Sequence, residues 1–159
     1  MKFMKLDIQM FADEPKSSTL TKLYYADSKI AGAKSQVIYV QEIPALKGPA
    51  ESITYNALDF AAERMEKGSK TAETVTIPVL YSESQHTALK AIADASTEKY
   101  WFVRYPETTA AETGKPLVRC FTATMDLEGD TISIGDMIQD NMTLYINSDV
   151  TETLDFPSA

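Results

Sequence analysis

Thr74-Val-Thr-Ile-Pro-Val-Leu-Tyr81, Ser82-Glu-Ser-Gln-His-Thr-Ala-Leu-Lys-Ala-Ile-Ala-Asp-Ala95 and Lys99-Tyr-Trp-Phe-Val-Arg-Tyr105 follow one another with little between them, and they decide the fold. The first alternates, with Val75, Ile77, Val79 and Tyr81 on one face and Thr74, Thr76, Pro78 and Leu80 on the other, which is a strand pattern. Pro78 has no N–H to give a ladder, so this strand belongs at a sheet edge or at a bulge. The second is a helix. Ser82 or Ser84 can cap it, and Ser82 with Gln85 has capping-box spacing. Ala88, Leu89, Ile92 and Ala95 form its apolar stripe, while Lys90 and Asp94 face out. The third is apolar or aromatic on both faces, so it is a central strand covered on both sides.

Working outward, Gln36-Val-Ile-Tyr-Val-Gln-Glu-Ile43 reads as a strand that Pro44 ends. Before it, Gly32 sits in a turn, and Leu20–Tyr25 is either a short strand or part of an arm. After the central strand, Pro106–Lys115 is a polar connection. Pro116–Thr124 is a strand, and Leu127–Ile134 another, with Glu128-Gly-Asp130 supplying a turn. Asp140–Asn147 is the last, with Met142, Leu144 and Ile146 on its core face. One helix among about six largely antiparallel strands makes a mainly β (α+β) domain. The expected architecture is an antiparallel β-sandwich or open barrel with one flanking helix and a long interaction loop.

That loop, residues 44–73, is the least patterned part of the chain. Unpatterned connections beyond ~15 residues are uncommon in compact domains and usually functional. Glu51–Asn56 alternates like a strand. Leu58, Ala61, Ala62 and Met65 have helical spacing, with Gly68 as a stop, although eight residues make a helix that needs packing to persist. Leu46, Lys47, Ile53, Tyr55, Leu58, Phe60, Arg64 and Met65 are the candidate subunit-contact residues. The domain proper is placed at 20–148, between a flexible N-terminal arm (1–19) and an acidic C-terminal tail (149–159). Lys5, Asp7 and Gln9 break the early apolar run, so a signal peptide is not expected. Asp13–Ser18, with Pro15, reads as a linker.

The chain has 159 residues, 44% of them hydrophobic, enough for one core. No apolar run reaches the ~18 residues of a membrane span. A net charge of −8 argues against general nucleic-acid binding, which needs clustered Lys and Arg. Chemistry is sparse. His86, the only histidine, reads as an exposed or capping residue, and Cys120, the only cysteine, as a buried thiol. Gly114-Lys115 lacks the upstream glycine of a phosphate loop. Asp126, Glu128, Asp130 and Asp136 lack the full pattern of a calcium loop and read as solvated turn acids. Tyr24, Tyr25 and the aromatics of 100–105 have only Arg104 interleaved, so they read as core and interface. No catalytic residue, cofactor or metal is expected. A two-sided apolar sheet with one thin helix, an edge strand and a long arm is instead equipped to pair with copies of itself.

Leu23-Tyr-Tyr25 through Gly32, the strand ending Ile43-Pro-Ala-Leu46, the arm to about Lys70, the strand–helix–strand of 74–105 and the strands to Asn147 together resemble the major tail (tail tube) proteins of long-tailed bacteriophages, particularly those of Gram-positive hosts. The resemblance spans roughly residues 20–150. Leu6-Asp-Ile-Gln-Met-Phe-Ala12 is also similar to the opening of many structural proteins of such phages. The resemblance implies a β-sandwich flanked by a helix, in hexameric rings stacked into a hollow tube. Hairpins would join around its axis, and the early loop would bridge rings. The implied partners are other copies, other tail proteins and DNA passing without sequence-specific binding, with no membrane. The implied location is the virion, after synthesis in the host cytoplasm. An acidic bore would repel the phosphate backbone rather than arrest it. Two alternatives stand beside this: a tail terminator or head–tail joining protein, and a carbohydrate- or peptide-binding module that uses Trp101 and the tyrosines as a platform, which would require an exposed indole.

Overall fold

The computed structural model describes residues 20–30, 32–46, 52–55, 62, 64–68, 73–106, 115–132 and 134–157. In chain order the elements are β1 (Lys22–Ala26), β2 (Ser35–Val37), β3 (Ser52–Tyr55), β4 (Arg64–Lys67), β5 (Thr74–Leu80), α1 (Glu83–Ala95), β6 (Lys99–Arg104), β7 (Leu117–Thr131), β8 (Gln139–Ile146) and β9 (Thr151–Leu154). Strands lie in the order β2-β1-β6-β7-β8-β5, each neighbouring pair antiparallel, and β9 adds to β7. This sheet curls into a half-barrel with α1 beside it, a mainly β architecture as the sequence implies. Leu20–Tyr25, which the sequence leaves open, contributes to β1, and Leu23 lies at the core.

The two ends of the sheet meet through one corner. β2 pairs with β1, and three residues beyond it Val40 bridges Val79 of β5. Leu80 N–H donates to the Tyr39 carbonyl and Gln41 N–H to the Pro78 carbonyl, each at 3.0 Å. The expected strand 36–43 is therefore split at Tyr39, whose φ of 58° turns the chain from one sheet edge to the other. Pro78 sits in the row of β5 that points away from β8, so its missing N–H removes no β5–β8 bond. Gln85 secures this corner: its Oε1 accepts from Ile38 N–H (2.8 Å) and its Nε2 donates to the Ile38 carbonyl (2.9 Å). The expected capping box thus does not form. Ser82 holds the cap position without a side-chain cap bond, and the Gln85 amide that would return the reciprocal bond is committed to Ile38.

Val75, Ile77 and Val79 of β5, Trp101 and Val103 of β6, Phe121, Ala123 and Met125 of β7, and Met142, Leu144 and Ile146 of β8 form the core with Leu89 of α1. Ile92 and Ala93 support Leu89, whereas Ala88 and Ala95 of the expected stripe are exposed. The helix is rotated by about one residue from the sequence expectation, because Gln85 and His86 of its first turn also face the body of the protein.

β6 is buried on both faces, as its sequence predicts. Behind the main core lies a second cluster of Ala26, Phe102, Val118 and Cys120. Its cover is the C-terminal segment, expected from sequence to be a loose tail: β9 pairs with β7, and Phe156 stacks edge-on against Tyr24 and Phe102. Lys34 Nζ lies 5.1 Å from the Phe156 ring centre, a cation–π contact that helps hold the strap down. The expected strands 116–124 and 127–134 are likewise one strand. Glu128-Gly-Asp130 is not a turn but an irregularity within β7, where the register with β8 shifts between Glu128 and Thr131.

Candidate assembly surfaces

β3 and β4 form a separate two-stranded ribbon in register Ser52↔Lys67, Ile53↔Glu66, Thr54↔Met65 and Tyr55↔Arg64. Arg64 and Met65 are therefore in a strand and Ala62 is in a bend, so the expected helix over 58–65 is contradicted at its end; residues 58–61 and 63 lie outside the described residues, as does Lys47. Ile53, on the face with Tyr55, is 56% exposed, and Met65, on the opposite face, 70%. Tyr55 donates its hydroxyl to Glu66 Oε1 at 3.1 Å, a diagonal tie on the Ile53 face that also carries Arg64. An isolated hairpin is marginal in water. This one has exposed apolar residues on both faces, which suits a ribbon that gains stability from a partner. Leu46 differs from the other candidates. It is 5% exposed and belongs to the core, so it anchors the root of the arm rather than offering a contact.

A second surface lies at the far end of β7 and β8. β6 pairs with β7 only as far as Lys99↔Ala123, whereas β8 continues alongside β7 to Thr131↔Gln139. Among the described residues, no strand pairs with the other edge of β7 from Thr124 to Thr131, an open run of roughly 25 Å. The hairpin ends at Gly135 (φ 88°) and carries Ile132, Ile134, Met137 and Ile138 exposed around that turn. The readable signal was apolar residues on both sides of Gly135-Asp136, too many for a solvated turn.

The outer face of β5, β8 and β7 is polar. Register sets Thr74, Tyr145 and Thr124 in one row, Thr76, Thr143 and Asp126 in the next, and Pro78, Asn141 and Glu128 in a third. None of these is basic. Thr76 Oγ1 and Thr143 Oγ1 lie 3.1 Å apart, and Thr143 donates to Glu128 Oε1 at 3.2 Å. Among the described residues no three His, Cys, Asp or Glu side chains gather as metal ligands would.

His86 Nδ1 lies 3.0 Å from Asp140 Oδ2. The carboxylate accepts, so this contact holds a proton on Nδ1. It ties the first turn of α1 to the root of the hairpin, with Tyr81 tilted against the imidazole. The sequence reading of His86 as merely exposed or capping is corrected by this pair. Cys120 is buried as expected, and burial pushes its thiol pKa up despite Lys29 and Lys34. Trp101 is wholly buried and donates its indole N–H to the Ala123 carbonyl at 3.3 Å, so it cannot act as a stacking platform. A cleft of about 440 Å³ lies between residues 40–46 and Val103, Tyr105 and Arg119. Among the described residues no helix is long and apolar enough to cross a membrane. No protein-family model matches the chain, and no curated protein matches it in sequence.

Proposed function

We propose that the chain is a structural virion protein, a phage tail-tube subunit that assembles into hexameric rings stacked as the conduit for DNA ejection. The observation that carries this reading is the edge of β7 from Thr124 to Thr131, along which no described strand pairs, together with the exposed apolar residues of the β7–β8 turn. An edge of that length is a hazard in a monomer, because it templates pairing with another chain. A head-to-tail ring satisfies every such edge by rotation. The cation-free outer face of β5, β8 and β7 then faces the bore, where Asp126 and Glu128 repel phosphates and no cation neutralises them. The β3–β4 ribbon bridges successive rings. The resemblance in sequence supports the same reading.

Negative-stain microscopy of the concentrated, purified chain tests it: rings or tubes are expected. A chain that stays monomeric at high concentration and salt refutes it, and one that stops at single rings points to a terminator or joining protein. Deletion of Lys47–Ser69 is expected to leave a folded chain that forms no tubes.

A further inference from the structure

The rim of the sheet at the root of the β7–β8 hairpin carries more apolar surface than a free chain needs. Leu80 N–H donates to the Tyr39 carbonyl (3.0 Å) and Tyr81 N–H to the Ile138 carbonyl (2.9 Å), so the Ile38–Tyr39 corner, the end of β5 and the approach to β8 lie side by side. Ile38, Tyr81 and Ile138 are each about two-fifths exposed, Tyr39 is 60% exposed and Met137 72%. Through Met137 they continue into Ile132 and Ile134 of the tip. At roughly 150–250 Å² per large side chain, these residues together expose on the order of 800 Å². That exceeds the ~300–600 Å² of the largest patch on a typical monomer and is about what each partner gives to a standard interface.

Tyr39 singles out the corner. Its φ of 58° is a conformation that asparagine or glycine adopts with little strain and a bulky residue seldom does. Its ring, largely exposed, returns little burial to the monomer. A strained backbone that displays an exposed aromatic ring marks a functional position. The corner is also pre-organised, because Gln85 bonds both the N–H and the carbonyl of Ile38, so docking costs little ordering there.

We infer that Ile38, Tyr39, Tyr81 and Ile138 form a docking surface for a second copy of the chain, with Tyr39 its anchor. The inference rests on the reading of the tip as a contact between copies and extends that contact onto the corner. Gln139, in the same row as Leu80, also pairs with Thr131 at the end of the open run of β7. Charge argues against lipid as the occupant. Segments 38–41, 80–86 and 132–140 contain Glu83, Asp136 and Asp140 and no Lys or Arg, whereas surfaces that enter a membrane carry cations on their polar border.

Tyr39→Trp places an indole at the rim, and the wholly buried Trp101 serves as an unquenched reference. Acrylamide is expected to quench the rim indole in dilute monomer and to do so severalfold less in rings or tubes. Rings or tubes whose rim indole stays as quenchable as in the monomer overturn this inference and leave the tube reading standing. Dimers with a shielded indole support the inference and overturn the tube. A chain that never self-associates overturns both. Tyr39→Asn is expected to keep the urea midpoint, because asparagine suits the backbone, and to raise the concentration at which assembly begins about tenfold or more. An unchanged threshold overturns the inference. So does sedimentation of the parent chain, but not of Tyr39→Asn, with phosphatidylglycerol–phosphatidylcholine vesicles, which assigns the rim to lipid.

Discussion

β7 passes through two environments within one strand. From Leu117 to Ala123 it has β6 on one edge and β9, then β8, on the other, with Phe121 and Ala123 buried inward and Val118 and Cys120 buried outward. From Thr124 onward β8 is its partner strand among the described residues; Met125 and Leu127 face the core, and Thr124, Asp126 and Glu128 face away. The first half is built of contacts the monomer completes by itself. The second is half-finished, with an apolar inner face satisfied and an edge left open. The same strand therefore joins a region enclosed by described elements on both edges and both faces to one with a described strand on a single edge.

The largest expected effect tests the first half. Phe121→Ala, at a position 1% exposed, is expected to cost about 3–5 kcal/mol in urea unfolding. Asp126→Asn, in the second half, is expected to stay within about 0.5 kcal/mol. Similar costs at both positions would erase the contrast.

The next effect concerns the cover of the first half. Ending the chain after Val150 removes β9 and Phe156 and bares Phe102 and Cys120, at an expected cost of about 2–3 kcal/mol by analogy with burial of one large apolar side chain. The sharper readout is Cys120, which should react rapidly with a thiol reagent in the truncated chain and slowly in the full one. Equal rates would mean that the strap shields nothing.

Both halves of this contrast were partly legible in sequence. Thr124-Met-Asp-Leu-Glu128 alternates strictly, whereas Val118-Arg-Cys-Phe121 places apolar residues on both faces, and strand β6 announced its burial in the same way. The strand–helix–strand around α1 was also readable, since its periods are local. What escaped depends on partners distant in the chain. β9 is a strand because β8 leaves the edge of β7 at Ala123, a fact of topology that Thr-Glu-Thr-Leu does not carry. His86 and Asp140 meet across 54 residues. At Met65, helical spacing lost to cross-strand pairing with Thr54, since a helix so short has little stability of its own. The hairpin tip is obscured in sequence because Glu128-Gly-Asp130 has the composition of a turn, whereas the turn lies at Gly135.

The tip separates stability from assembly. Ile134 is fully exposed, so Ile134→Lys should leave the unfolding free energy within about 0.5 kcal/mol of the parent chain. Tube formation by microscopy or sedimentation should nonetheless be lost, because a charge replaces an apolar contact at the end of the open edge. Tubes indistinguishable from the parent's would exclude the tip from any interface.

The smallest effect is a pH dependence confined to the finished half. An ordinary cysteine thiol ionises near 9.0, and burial holds that of Cys120 above this value. In the unfolded chain the thiol ionises first, so unfolding gains from rising pH before the folded state does. Its contribution is complete below about pH 8 and is lost as pH climbs through the raised folded value, amounting to less than about 1 kcal/mol by roughly pH 9.5. Cys120→Ala shifts stability at every pH through the lost side-chain volume, so the informative quantity is the slope. The alkaline decline should be shallower in the variant than in the parent chain. Truncation after Val150 should remove most of that difference, since an exposed thiol ionises alike in both states. Parallel slopes in the untruncated pair would mean that the outer cluster is wet, and that the first half of β7 is no more enclosed than the second.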